Sequence, residues 1–254
     1  MTAPRIRFVI GGVQKGGTTA LAQFLARHPQ VGLPQGKEAH VFDAPDFDDG
    51  WGTAEVDQRY AGHFAHLAAE GKILGDATPI YCFHPLLVER IARYHPGMKW
   101  VLILRHPVER AVSQYQMERG RGDERWPFWP AILLEKWRLR GHESDFSLGS
   151  PLRHYSYRAR GAYAGQLDTL YRHFPREQVL VLRNESLAGN PAAVLAEVCR
   201  FLEIPQMEDS GQFGRVFAGN YRALSRSGWR FRLLSWLMRR ELRQAEKAYG
   251  LTWS

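Results

Sequence analysis

Apolar residues along this chain fall into two rhythms. Phe8-Val9-Ile10, Trp100-Val101-Leu102-Ile103-Leu104 and Val179-Leu180-Val181-Leu182 are unbroken apolar runs with no polar alternation, the pattern of strands buried on both faces of a parallel sheet. Lys72-Ile73-Leu74-Gly75 reads as another strand running into the turn Asp76–Pro79, and Val31–Pro34 as a short extended piece. Between these runs the spacing turns helical. It does so after the first strand (Ala20–Leu25), over Val56–Leu67 with Tyr60, Phe64 and Leu67 on one face, and over His84–His95, stopped by Pro96-Gly97. Further helices are expected from Pro107, over Tyr163–Phe174 and over Pro191–Leu202. Strand and helix in alternation predict an α/β fold, a central parallel β-sheet flanked by helices, with residues 1–254 as a single domain. Residues 119–155 break the rhythm with arginines, prolines and Trp126, Phe128, Trp129 and Trp137 around one helical stretch, Ala131–Arg140; they read as a lid or insertion. An irregular segment covers 210–220, and a basic amphipathic helix over 228–249 closes the chain.

The first strand runs into Gly11-Gly12-Val13-Gln14-Lys15-Gly16-Gly17-Thr18-Thr19 and then directly into a helix. Glycines let backbone approach an anion closely, and a helix N-terminus aims unpaired N–H groups at it. Lys15 adds a positive charge, and Thr18 and Thr19 add hydroxyls. The triphosphate-binding pattern G-x-x-x-x-G-K-[ST] needs lysine directly after its last glycine. Here Thr18 holds that place and the lysine has moved back to position 15. The apolar run of residues 101–104 ends in Arg105 rather than in a magnesium-binding aspartate, so protein cations rather than a metal are expected to meet the anion.

Charge narrows the partner. The 254 residues carry a formal net charge of +8, with a sequence pI of about 9.7, which favours an acidic ligand, an anionic membrane or a charged sugar. No lysine–arginine tract or nucleic-acid motif is present, so nucleic acid is not an expected partner. No apolar run reaches the roughly 18 residues of a membrane span. No signal-peptide pattern precedes the first strand, and Cys82 and Cys199 sit among core-type residues as expected buried thiols. The expected address is cytoplasmic.

Ligands of parallel sheets collect at the carboxyl ends of the strands. Four features are expected there: the Lys15 loop, Lys37-Glu38-Ala39-His40-Val41-Phe42-Asp43, the turn after Asp76, and Arg105 with Ser113 eight residues on. Two separate phosphate grips without a metal carboxylate point to a nucleotide phosphorylated at both its 5′ and 3′ positions. With Gly12–Thr19, Lys37–Asp43, Asp76–Tyr81, Leu104–Tyr115, Gly161–Leu167 and Glu185-Ser186-Leu187 in this order, the sequence resembles the sulfotransferases that use 3′-phosphoadenosine 5′-phosphosulfate (PAPS). The branch it is similar to contains the heparan sulfate sulfotransferases and their bacterial relatives. The resemblance covers roughly residues 6–205 and implies a P-loop-like nucleotide-binding fold.

It also implies roles. Lys15 with the loop amides of Gly16, Gly17, Thr18 and Thr19 would hold the 5′-phosphosulfate, and Arg105 with Ser113 the 3′-phosphate. Glu38 takes the place of the general base that deprotonates an acceptor hydroxyl, with His40 in reserve, and Lys15 would stabilise the leaving phosphate. Lys37, Asp43 and Asp76 are acceptor-side candidates. Asp43 suits a loop-fixing role better than a chemical one, and Asp76 suits capping its turn as well as acceptor binding. Ala77 departs from the lysine that heparan-type relatives often carry, and the cysteine-flanked, lysine-rich loop of those enzymes is missing. Residues 212–216 stand in its place, with Arg215 as a 3′-phosphate candidate. The departures favour a hydroxylated small molecule, such as a secondary metabolite or lipid-linked sugar, over a heparan-like glycan. Two rivals stay open: a P-loop kinase or NTPase, and a non-catalytic binder of phosphorylated or sulfated ligands. For the C-terminal helix, docking on its own domain or on a second subunit is favoured over peripheral membrane contact, which is a further option, and the sequence leaves the oligomeric state undetermined.

Overall fold

The structure, a computed structural model, describes residues 5–67, 71–207 and 224–253. The elements run β1 (Phe8–Gly12), α1 (Thr18–Leu25), β2 (Val31–Gly32), α2 (Thr53–Ala61), β3 (Ile73–Asp76), α3 (Pro85–Tyr94), β4 (Lys99–Leu104) and α4 (Pro107–Arg121). There follow α5 (Phe128–Leu133), α6 (Glu135–Leu139), α7 (Pro151–His154), α8 (Tyr163–His173), β5 (Val179–Arg183), α9 (Asn184–Gly189), α10 (Pro191–Leu202), α11 (Trp229–Leu237) and α12 (Arg239–Tyr249). They fall into two compact units. One runs up to Leu104 and resumes at Thr169; the other is Arg105–Asp168 with the C-terminal helices.

The first unit holds the five-stranded sheet, all parallel, in the order β2-β3-β1-β4-β5. All five residues of β1 are buried, and so are the last five of β4, which is why both read as continuous apolar runs. β1 pairs with β3 on one side and β4 on the other. Strand order therefore reverses at β1, and the crevice beyond its carboxyl end is the switch point where such sheets bind ligands. Phe8, Ile10, Val101 and Ile103 pack in one core with Leu21, Phe24 and Leu25 of α1 and Val194, Leu195 and Val198 of α10. The ends of α10 follow sequence rules closely. Pro191 opens it, the Asn190 side chain accepts from the Ala193 N–H at 3.1 Å, and Glu203 ends it at φ 59°.

In the second unit, His106 caps α4 by accepting from the Val108 N–H at 3.2 Å, with Pro107 at the first helical position. Val108, Ala111 and Val112 of this helix share a core with Ala131, Ile132, Tyr157, Phe231, Leu234 and Met238. Three helix boundaries differ from the sequence reading. The helix expected over 56–67 begins at Thr53 and tightens to a single 3₁₀ turn at Gly62–Phe64. The helix expected over 131–140 breaks at Leu134 (φ −93°, ψ 6°), beyond which the buried Glu135 accepts the N–H groups of Arg158 (2.6 Å) and Ala159 (2.8 Å). The helix expected over 228–249 bends at Met238 (φ −99°, ψ 10°) into α11 and α12. There the Arg239 guanidinium takes the Trp236 carbonyl at 3.0 Å, an acceptor that a continuous helix would offer to the Arg240 N–H. Cys82 and Cys199 are buried free thiols, as expected. Among the described residues no helix is long and apolar enough to cross a membrane.

Candidate active site

The glycine loop leaves β1 at the switch point. The Val13 N–H donates to the Ile103 carbonyl at 3.1 Å, and the Gly16 N–H turns back onto the Val13 carbonyl at 2.8 Å. A Cβ on Gly16 would stand 2.2 Å from the Ile103 carbonyl oxygen, so only bare backbone passes here. Gly16 thus contributes shape, while its own N–H closes the turn. Gly17, at φ 111°, is the N-cap of α1 without any side-chain cap. Leu21 is the first to donate into the helix, to the Gly17 carbonyl at 3.2 Å. By helix geometry the N–H groups of Thr18, Thr19 and Ala20 have no partner within α1, and with the helix dipole behind them they favour an anion. Asn184, the first residue of α9, donates Nδ2 to the Gly16 carbonyl at 2.7 Å and so fixes the loop from β5. The sequence reading passed over it for the neighbouring Glu185-Ser186-Leu187. A polar residue directly after a buried strand, at the ligand end of the sheet, was the available signal.

Lys37–Asp43 is held open by Asp76. That carboxylate is completely buried and accepts four bonds: from the Ala39 N–H (3.1 Å), the Thr78 hydroxyl (2.7 Å), and the Tyr60 and Tyr81 hydroxyls (2.9 and 2.7 Å). The Tyr81 oxygen in turn accepts the Val41 N–H at 3.2 Å, and the Ala77 N–H donates to the Lys37 carbonyl at 3.4 Å. Asp76, an acceptor-side candidate from the sequence, is therefore enclosed, and the bonds its carboxylate accepts tie it to the segment and to its own turn. Lys37 and His40 sit at φ 83° and 53°, and Lys15 at φ 68°. Among the described residues only Glu203 is a further non-glycine with positive φ. Such backbone costs of order 1 kcal/mol per residue and concentrates where side-chain direction matters.

The side chains of this segment form one chain of charge. The Lys37 ammonium contacts Glu38 Oε1 and reaches Thr19 Oγ1 at 3.4 Å. Glu38 Oε2 faces His40 Nε2 at 3.2 Å, and His40 Nδ1 faces the buried Asp43 Oδ2 at 2.8 Å. Burial alone would pull the imidazole down, but hydrogen bonds to Asp43 and Glu38 outweigh it and push His40 up to about 9. Burial likewise opposes ionisation of Glu38, yet the His40 hydrogen bond and the Lys37 charge bring it down to about 2. At neutral pH His40 is then a cation that donates from both nitrogens, and Glu38 is a carboxylate a third exposed.

In the second unit, Arg105 follows β4 immediately, and Ser113 lies two turns into α4, buried. Arg105 Nε stands 3.4 Å from Glu109, which Arg226 engages more closely at 2.8 Å. The Arg105 carbonyl accepts from Tyr163 OH at 2.8 Å, which gives the motif at residues 161–167 a structural purpose. Arg215 lies outside the described residues. Among those described, one group of three brings metal-capable atoms together: Glu118, Asp123 and His154. Both His154 nitrogens already face protein acceptors there, Glu118 at 2.9 Å and the Leu148 carbonyl at 2.8 Å.

The family profile described as the sulfotransferase domain matches residues 5–213. This chain belongs to that family. The matched range of the sulfotransferase domain contains the glycine loop, the Lys37–Asp43 segment, Asp76, Arg105 and Ser113. Heparan sulfate glucosamine 3-O-sulfotransferase 6 of Mus musculus is 30% identical over 205 residues, 81% of this chain and 54% of the mouse protein. Membrane-associated sulfotransferase kil1 of Dictyostelium discoideum is 26% identical across 81% of this chain and 57% of its own length. The chain thus spans about half the length of these curated relatives. A solved sulfotransferase from Alicyclobacillus acidocaldarius matches 98% of both chains, with a TM-score of 0.76 and 27% identity. The parallel sheet flanked by helices is accordingly a sulfotransferase fold, as expected from the sequence.

Proposed function

We propose that this sulfotransferase domain moves a sulfuryl group from PAPS to the hydroxyl of a small-molecule or glycan acceptor, with Glu38 as general base and no metal. The reading is carried by one observation: the Lys37 ammonium spans from Thr19, in the first turn behind the glycine loop, to the Glu38 carboxylate. An anion-binding turn and an accessible carboxylate are thereby joined through a single cation. The donor set suits a phosphosulfate: the uncapped start of α1, the Thr18 and Thr19 hydroxyls and Lys15, to which we add Lys37, an acceptor-side candidate from the sequence, because its ammonium reaches Thr19 at 3.4 Å. Arg105 and Ser113 are assigned to the 3′-phosphate. When bound, PAPS supplies the sulfuryl group and carries away the charge as adenosine 3′,5′-bisphosphate.

The chain's own residues then divide the work. Glu38 accepts the acceptor's proton as oxygen bonds to sulfur, and Lys15 meets the charge left on the departing phosphate. At a pKa of about 2, Glu38 is a weak base in the arrangement described. Drawing the Lys37 ammonium onto an incoming anion takes away one of the two cations that hold it down, so the base strengthens when the donor is in place. His40, charged and clamped by Asp43, orients Glu38 rather than competing for the proton. Titration calorimetry with adenosine 3′,5′-bisphosphate, followed by labelled PAPS against a panel of hydroxylated acceptors, tests the proposal. Micromolar nucleotide binding with transfer to at least one acceptor is expected; no affinity for the bisphosphate would end it.

A further inference from the structure

Helix α11 is apolar on two opposite sides. Phe231 and Leu234 point into the core of the second unit, while Trp229, Leu233 and Trp236, spaced i, i+4, i+7, form a stripe on the outer face. Trp229 is 62% and Trp236 56% exposed. A soluble surface helix has one apolar stripe; a second one facing outward needs a partner. The stripe meets α5 through one ring contact, and exposed apolar side chains follow on α5 and α6. The rings of Trp229 and Trp129 stack at 5.8 Å and 22°, and Leu133 and Trp137, four and eight residues beyond Trp129, are 53% and 67% exposed.

We propose that this face docks on an anionic lipid bilayer. Arg230 and Arg232, both exposed, project on either side of the stripe at about 100° per residue, and Arg239 and Arg240 continue it past the bend. Tryptophan and leucine outward with arginine alongside is the composition of a helix lying in the headgroup layer. Anionic headgroups complement the arginines, and the molecule's net charge of +8 adds long-range attraction. A second copy seated by a twofold axis would instead bring the arginine-flanked stripe against its own image, like charge on like charge.

The test is vesicle co-sedimentation of the full chain, comparing pure phosphatidylcholine with phosphatidylcholine doped with phosphatidylserine. Binding to the doped vesicles several-fold above the neutral ones, weakened by salt, is expected. The double variant Leu233→Glu, Trp236→Glu should lower the partition coefficient about tenfold or more, and Arg230→Glu with Arg232→Glu should remove the salt-sensitive part. All four side chains are exposed, so an unchanged thermal melt confirms that the variants fold. Background binding to doped vesicles overturns the proposal. So does a concentration-dependent dimer, seen by sedimentation velocity, that the Leu233/Trp236 variant dissociates.

Discussion

His40 lies between two carboxylates, and that placement bears on the reserve role it holds behind Glu38. A histidine free to take a proton must be neutral at working pH; one held at about 9 by Asp43 and Glu38 is already protonated. Glu38→Gln should therefore lower turnover by roughly 10²–10⁴, while adenosine bisphosphate affinity stays within a few-fold by calorimetry. Comparable activity in the variant would return the base role to His40. The same pair sets a pH dependence of stability. His40 rises from 6.5 to about 9, so its contribution is complete below about pH 6.5 and lost as pH climbs through 9. Glu38 falls from 4.5 to about 2, so its contribution is present above about pH 4.5 and lost toward pH 2. The melting temperature should fall between pH 6.5 and 9, and His40→Asn should flatten that limb. The spacing of Glu38, His40 and Asp43 was legible in the sequence. The charge states of Glu38 and His40 were not, because these depend on contacts within a segment that turns through positive φ at Lys37 and His40, which no side-chain pattern announces.

At the scale of elements, what could be read was local. Apolar runs located β1, β4 and β5, and proline marked the starts of α4 and α10, because each signal lies within a few residues of its effect. The shape of the Lys37–Asp43 segment was not local. It depends on Asp76, 37 residues beyond Ala39 in sequence, and on Tyr60 and Tyr81, which share that carboxylate. Asn184 and the Gly16 carbonyl meet across 168 residues. The bends at Leu134 and Met238 likewise arise without proline or glycine. A buried carboxylate with four donors leaves several groups unsatisfied when changed. Asp76→Asn presents a donor where two tyrosine hydroxyls, a threonine hydroxyl and an amide all donate, and should cost about 2–4 kcal/mol in urea unfolding. If Asp76 served the acceptor instead, the variant would keep its stability and lose only turnover.

For the molecule as a whole, the proposed ligand-binding groups come from widely separated stretches: Lys15, Lys37, Arg105 and Ser113. No unfolded chain presents them together, so a nucleotide that uses them binds the folded state alone and must stabilise it. At a hundred times its dissociation constant the gain is about 2.7 kcal/mol. For a chain of 254 residues, at roughly 2–4 °C per kcal/mol, the melting temperature should rise about 5–11 °C with adenosine 3′,5′-bisphosphate. Adenosine 5′-monophosphate, lacking the 3′-phosphate, should give a clearly smaller rise at the same concentration. Lys15→Ala and Arg105→Ala should each lose most of the rise given by the bisphosphate, because each removes a cation assigned to a different phosphate. The size of that rise also separates the sulfotransferase reading from a triphosphate-binding one. The lysine at position 15 does not stand where a γ-phosphate would need it, so magnesium–ATP should stabilise weakly, and a larger shift with magnesium–ATP than with the bisphosphate would reverse the assignment of the loop.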